Sequence, residues 1–293
     1  MRSRFAHLAQ HMFDAPLVIH PRKAQVIIMA LRERLGISSV SGLGVKMDDD
    51  EGDGDFYAPA RGGRTADNGY DMIGPVARIP VEGTLVNKLG SLRPYSGMTG
   101  YDSIRQALLS AMGDNAVEGI VFDIDSPGGE AAGCFDLVDT IYGLRGIKPM
   151  AAILTENAFS GGYGIASAVD PGSIYLPRTG GVGSIGVIWA HVDESRALDK
   201  DGLTVTFLTH GARKADGHSE FPLSPEARDR YQAEIDAMGE IFDQTVARNR
   251  GLASKTVASF EAGCFMGPEG VKLGLADAVM APDAAFRAFI KTL

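Results

Sequence analysis

Two glycine-bearing stretches carry the residue types that acyl-transfer chemistry needs. One is Asp125-Ser126-Pro127-Gly128-Gly129, the other Phe159-Ser160-Gly161-Gly162-Tyr163-Gly164-Ile165-Ala166-Ser167. Each follows an apolar run and opens a stretch of helical character. Glycine lets the chain turn sharply and bares its N–H groups to a reacting carbonyl, and helix N-termini favour developing negative charge. One stretch can therefore hold an oxyanion while the other presents Ser160 as a nucleophile. Ser126 precedes a proline and is expected to serve turn chemistry instead.

A serine hydroxyl is a weak nucleophile until a base takes its proton. The six histidines are His7, His11, His20, His191, His210 and His218. Ser160, Asp201 and His218 stand in the chain order of an α/β-hydrolase triad, and Ala158-x-Ser160-x-Gly162 loosely mimics that fold's nucleophile turn. The HGGG-type oxyanion loop is missing, however. The lysine candidate is Lys214, within Gly211-Ala212-Arg213-Lys214-Ala215-Asp216-Gly217. A lysine base must shed its proton, which burial and a neighbouring cation such as Arg213 would favour. By residue type alone a loop lysine reads as solvated surface, so the choice of base stays open here. Ser184 is expected to bond backbone or to orient Lys214. Tyr163 reads as core-facing or pocket-lining, and Asp216 and His218 as surface turn residues.

These residues need strands that end at the two glycine stretches. Residues 76–81, 119–124, 150–154, 173–176, 185–189 and 204–208 read as strands, and residues 101–112, 131–144, 194–200 and 225–250 as helices. The alternation predicts an α/β fold with a mostly parallel sheet and covering helices. In the last helix Ala227, Tyr231, Ile235, Met238, Phe242 and Val246 recur at helical spacing behind an N-cap, Ser224, and a first-position proline, Pro225. It packs on its own domain or forms a subunit interface. Residues 1–45 read as an N-terminal helical arm, with Gln25, Val26, Ile27, Ile28, Ala30, Leu31 and Leu35 as its apolar stripe. Residues 46–70 carry six acids within positions 48–55 and read as an acidic, Gly-rich disordered linker. Residues 71–293 form the catalytic domain.

The series Asp125-Ser126-Pro127-Gly128-Gly129, Ser160-Gly161-Gly162-Tyr163, Gly183-Ser184-Ile185-Gly186-Val187 and Lys214 resembles the signal peptide peptidase A family of serine proteases (peptidase family S49). The resemblance spans roughly residues 72–280, and its motifs are specific jointly rather than singly. It implies a ClpP/crotonase-like fold and a Ser–Lys dyad. The family's nucleophile falls on Ser160 and its general base on Lys214. Its oxyanion hole falls on Gly128, Gly129 and Gly161. His7-Leu8-Ala9, Phe13-Asp14-Ala15-Pro16-Leu17, Ile19-His20-Pro21 and the Arg213–Gly217 turn before Pro222-Leu223 resemble the phage head-maturation branch. That branch implies scaffold, portal or capsid proteins as substrates and a homo-oligomer. Some members carry a long C-terminal scaffold extension. This sequence ends at Leu293, so a separate scaffold protein is expected. Alternatives are a signal-peptide-peptidase-like protease, a crotonase-type acyl-CoA enzyme, which shares the oxyanion hole without needing a Ser–Lys pair, and a non-catalytic assembly factor.

Composition limits the partners. In 293 residues the formal net charge is −9 and no basic cluster stands out, which argues against nucleic acid. Cys134 and Cys264 make no disulfide framework. No apolar run reaches the roughly 18–20 residues of a membrane span. His7, His11 and Asp14 interrupt any signal-peptide core, so a location in the host cytoplasm or procapsid is expected. Neither an HExxH nor a paired CxxC suggests a metal, and no Walker loop suggests ATP. No cofactor is expected.

Overall fold

The computed structural model describes residues 16–23, 68–91 and 97–293. Its strands are β1 (Leu17–Ile19), β2 (Asp71–Ile73), β3 (Val76–Val86), β4 (Met98–Gly100), β5 (Gly119–Glu130), β6 (Met150–Phe159), β7 (Ile174–Leu176), β8 (Gly181–Gly183), β9 (Cys264–Met266) and β10 (Ala278–Val279). The helices are α1 (Tyr101–Gly113), α2 (Cys134–Gly143), α3 (Gly161–Ser167), α4 (Ser195–Lys200), α5 (Pro225–Arg250), α6 (Ser254–Ala258), α7 (Gly267–Lys272) and α8 (Pro282–Ile290).

The sheet follows the order β10-β7-β6-β5-β3-β2, with β1 on β5, β4 on β3, and β8 bridging β6 and β9. Its central pairs β3–β5, β5–β6 and β6–β7 are parallel. Both faces are covered, which explains why the central strands read as unbroken apolar runs. Ile120, Phe122 and Ile124 face the large core with Leu108, Leu137 and Tyr163, while Val121 and Ile153 face Phe286 and Phe289 of α8. Each such buried side chain stabilises the fold by about 1.5–3 kcal/mol. The expected α/β class, mostly parallel sheet and covering helices are what the chain forms.

Two expected strands do not form as such, and the central strands run past their expected ends, β3 to Val86 and β6 to Phe159. β5 does not stop at Ile124 but runs through the glycine stretch to Glu130, because that stretch finds partners: Thr84 and Leu85 oppose Gly128 and Gly129 on one side, and β1 pairs on the other. The expected strand 185–189 is reduced to a single bridge between Leu17 and Ile188. The expected strand 204–208 is irregular, with Leu208 95% exposed. Alternating side chains alone make no strand without a neighbour to take the ladder hydrogen bonds.

The long helix α5 starts as expected. Ser224 Oγ accepts the Ala227 N–H at 3.1 Å, Pro225 follows, and Gly251 closes the helix with φ 66°. Its C-terminal half packs into the core through Phe242, Val246 and Ala247, and Ala227 in its first turn is buried. The apolar stripe expected at 25–35 and the acidic run at 48–55 lie outside the described residues. Tyr70, the last position of the expected linker, is buried and donates to Asp114 at 2.8 Å. Among the described residues no helix is long and apolar enough to cross a membrane.

Candidate active site

The register shifts in the middle of the sheet bring the two glycine stretches together. β5 and β6 slip relative to one another between Ile124 and Ser126, so that Ser126 comes to face Ala158. β6 then ends at Phe159, and the chain turns sharply into α3. Ser160 makes that turn with φ 53° and ψ −120°, a conformation costly for any residue bearing a Cβ. Its N–H donates to the Gly183 carbonyl at 2.8 Å and its carbonyl accepts the Gly164 N–H at 2.9 Å, which hold the turn from both sides. The side chain is fully buried. Its hydroxyl lies 3.5 Å from the Gly186 carbonyl, longer than a strong O–H···O bond.

The glycines stand where a side chain would not fit. A Cβ on Gly128, whose φ is 93°, would be driven into the Val18 carbonyl oxygen and would lie 2.9 Å from both Gly161 N and Ser160 Cβ. A Cβ on Gly161 would lie 2.8 Å from the Tyr101 hydroxyl. Gly161 opens α3, so its N–H belongs to the helix donors that have no partner within the helix. Ser126 fixes the other stretch: it donates to the Gly83 carbonyl at 2.7 Å and accepts the Gly128 N–H at 3.1 Å. The expected turn role of Ser126 is thus seen. The Gly128 N–H is engaged within its own turn by Ser126, the Gly129 N–H by its ladder pairing with Val18, and the Gly161 N–H opens α3.

Lys214 is exposed, and its ammonium makes no hydrogen bond or ion pair with a described residue. The turn that bears it is held on α5: Arg230 pairs with Asp216, and the Tyr231 hydroxyl donates to the Asp216 carbonyl at 3.0 Å. Tyr231 in turn stacks on Trp189 at 4.2 Å. Phe242, which lies against Gly164 next to the Ser160 turn, is eleven residues further along α5, or about 16 Å at the helical rise. Within one chain, Ser160 is buried, Lys214 is exposed, and no hydrogen bond joins them.

The remaining candidates fall away from the base position. Ser184 is buried with φ 54° and donates its N–H to the Gly263 carbonyl at 2.8 Å, and no hydrogen bond joins its hydroxyl to Lys214. Tyr163 is core-facing, its hydroxyl donating to the Leu275 carbonyl at 2.9 Å. His218 pairs with Glu220 at 3.4 Å and leans on Phe207, and no contact joins it to Asp201 or Ser160. Among the described residues no group of three or more His, Cys, Asp or Glu converges as a metal site.

Three neighbours of the site carried no signal in the sequence. Tyr101 donates to the Glu130 carbonyl at 2.9 Å and lies against Gly161. The Cys134 sulfur sits 4.0 Å from the Gly161 carbonyl, and burial pushes its thiol up to about 12, leaving it unreactive. The third is β1, whose antiparallel register sets Leu17, Val18 and Ile19 against Glu130, Gly129 and Gly128. A three-residue strand between prolines has no periodicity to read.

Residues 144–292 match the sequence pattern of Peptidase family S49. The chain is 38% identical over 289 residues to the head-tail preconnector protein GP5 of Enterobacteria phage P21, covering 97% of this chain and 57% of that protein. It is 37% identical over 281 residues to the capsid assembly protease C of Escherichia phage lambda, covering 92% of this chain and 62% of that one. Similarity to Protease 4 of Haemophilus influenzae is 27% over 217 residues, 72% of this chain and 33% of that one. The chain therefore spans about three fifths of the length of the two phage relatives.

Proposed function

The chain belongs to peptidase family S49, and we propose that it is a serine endopeptidase of phage head maturation, with Ser160 as nucleophile and Lys214 as general base. Lys214 takes the Ser160 proton as the hydroxyl attacks the scissile carbonyl. The oxyanion rests on the N–H groups of Gly129 and Gly161, a pair of which each member is worth about 10²–10³ in rate. Lys214 then protonates the leaving amine, and water resolves the acyl-enzyme. The observation that carries this reading is the buried Ser160 at a strained turn, next to Gly128 and at the open N–H of α3.

Scaffold and portal proteins of a procapsid are the proposed substrates. The support is the two phage relatives, whose names are those of a capsid assembly protease and a preconnector protein. A homo-oligomer is part of the same proposal. Lys214 is exposed on a segment that also exposes Leu203, Leu208 and Phe221, which favours delivery of the base to Ser160 of a second copy. Mixing Ser160→Ala with Lys214→Ala protein tests this. Each alone should be inert, and the mixture should regain peptidase activity. A mixture as inert as its parts would mean that the pair does not form between copies.

A further inference from the structure

Ser160 is buried, and residues 16–20 of the same chain lie against the glycines that flank it. β1 lies between two edges and is hydrogen-bonded to both. On one side the Ala131 N–H donates to Pro16 at 3.1 Å and the His20 N–H to Pro127 at 2.6 Å. These bonds flank the Val18–Gly129 pair and give it the same parity, that of residues which exchange both main-chain bonds. On the other side Leu17 and Ile188 exchange N–H···O bonds of 2.9 Å in both directions. Leu17, Val18 and Ile19 are 3%, 0% and 3% exposed. The His20 ring packs on Phe159 at 5.0 Å, one residue before the nucleophile.

The Val18 carbonyl is the telling group. Its oxygen abuts Gly128 in the space bounded by Gly161 N and Ser160 Cβ, and a Val18 methyl lies 3.1 Å from where a Gly161 Cβ would stand. That is the space a carbonyl under attack by Ser160 must enter. The cleft of about 610 Å³ lined by Asn87, Tyr101, Arg105 and Asp136 does not include Ser160.

We propose that the seat between residues 128–130 and Ile188 is the substrate-peptide site, that it takes an extended peptide with consecutive aliphatic residues, and that residues 16–20 fill it as a self-blocking occupant. Strand addition supplies affinity through the main chain and selects through side-chain pockets, which here hold Leu17, Val18 and Ile19. An occupant tethered to its own site competes at an effective concentration on the order of mM. A substrate must displace it or arrive after it has been removed. The inference rests on Ser160 as nucleophile.

The test reads access to position 160 without using hydrolysis. In the full chain, Ser160→Cys is combined with Cys264→Ser, and alkylation of residue 160 by iodoacetamide is followed by peptide mapping. The rate should be low, and Leu17→Asp with Ile19→Asp should raise it about tenfold or more by releasing local protection. A synthetic peptide of residues 16–22 should then slow it again, which an unfolded protein could not show. If the double-aspartate chain lacks a cooperative melt, Val18→Gly in the same assay decides. Equal rates with and without the strand substitutions, or acceleration that the peptide does not reverse, would overturn the proposal. Alkylation requires neither Lys214 nor turnover. Peptidase activity surviving in Ser160→Ala would refute the nucleophile separately.

Discussion

Ser126 Oγ accepts the N–H of Gly128 at 3.1 Å while donating to Gly83 at 2.7 Å. One hydroxyl therefore sets the glycine stretch that faces Ser160 and ties it to β3. Ser126→Ala should leave a buried donor and a buried acceptor unmet, at a cost of about 1–3 kcal/mol. Urea unfolding should show that loss, and kcat should fall with KM little changed. A variant with unchanged stability and kcat would mean that the brace is dispensable.

Gly129 admits no side chain. A Cβ there would run into the Leu85 carbonyl oxygen and lie 2.6 Å from its amide nitrogen. Both obstacles are backbone, so relief requires β3 and β5 to part. Gly129→Ala should destabilise the fold by about 1–3 kcal/mol, the usual cost of overpacking, and remove peptidase activity. A thermal melt matching the wild type would show that the strands yield more easily than their packing implies.

Lys214 should be intolerant of arginine. A base must give up its proton, and arginine does not do so in proteins. Lys214→Arg and Lys214→Ala should both be inactive, and Ser160→Ala/Lys214→Ala little worse than either, because residues acting as a unit are strongly non-additive. Turnover by Lys214→Arg on a peptide substrate would leave Lys214 as a structural charge.

Asp123 makes stability depend on pH. It sits mid-strand in β5, and burial pushes its carboxyl up from 3.8 to about 7, opposed by Arg78 and assisted by Glu82 and Asp125. The folded protein keeps a proton that the unfolded chain releases near pH 4. Its contribution is therefore full below about pH 4 and is lost as pH rises to about 7. Asp123→Asn stays neutral throughout. Its stability relative to wild type should rise across that window, by on the order of 2–4 kcal/mol at pH 8. Urea midpoints running parallel between pH 4 and 8 would contradict this.

The glycine stretches and the alternation of strands and helices were legible because each is local: short apolar runs bounded by glycine, and a capped helix with regular spacing. The seat of β1 was not. It joins residues 17–19 to residues 128–130, and no pattern within either stretch announces a partner so distant. The failed strand at 204–208 is the converse, a local pattern without a partner. The glycines around Ser160 pointed to the sharp turn it makes at φ 53° before α3. The place of Lys214 depends on Asp216 meeting Arg230 and Tyr231, contacts made across a loop that no local pattern fixes.

The central claim is that Ser160 forms the acyl-enzyme. Its most direct measurement is mass-spectrometric mapping of the protein after reaction with a serine-directed fluorophosphonate, in a preparation that cleaves a peptide substrate. The adduct should sit on Ser160, build up in step with loss of peptidase activity, and be absent from Lys214→Ala. An adduct on another residue, with peptide cleavage retained in Ser160→Ala, would contradict the account.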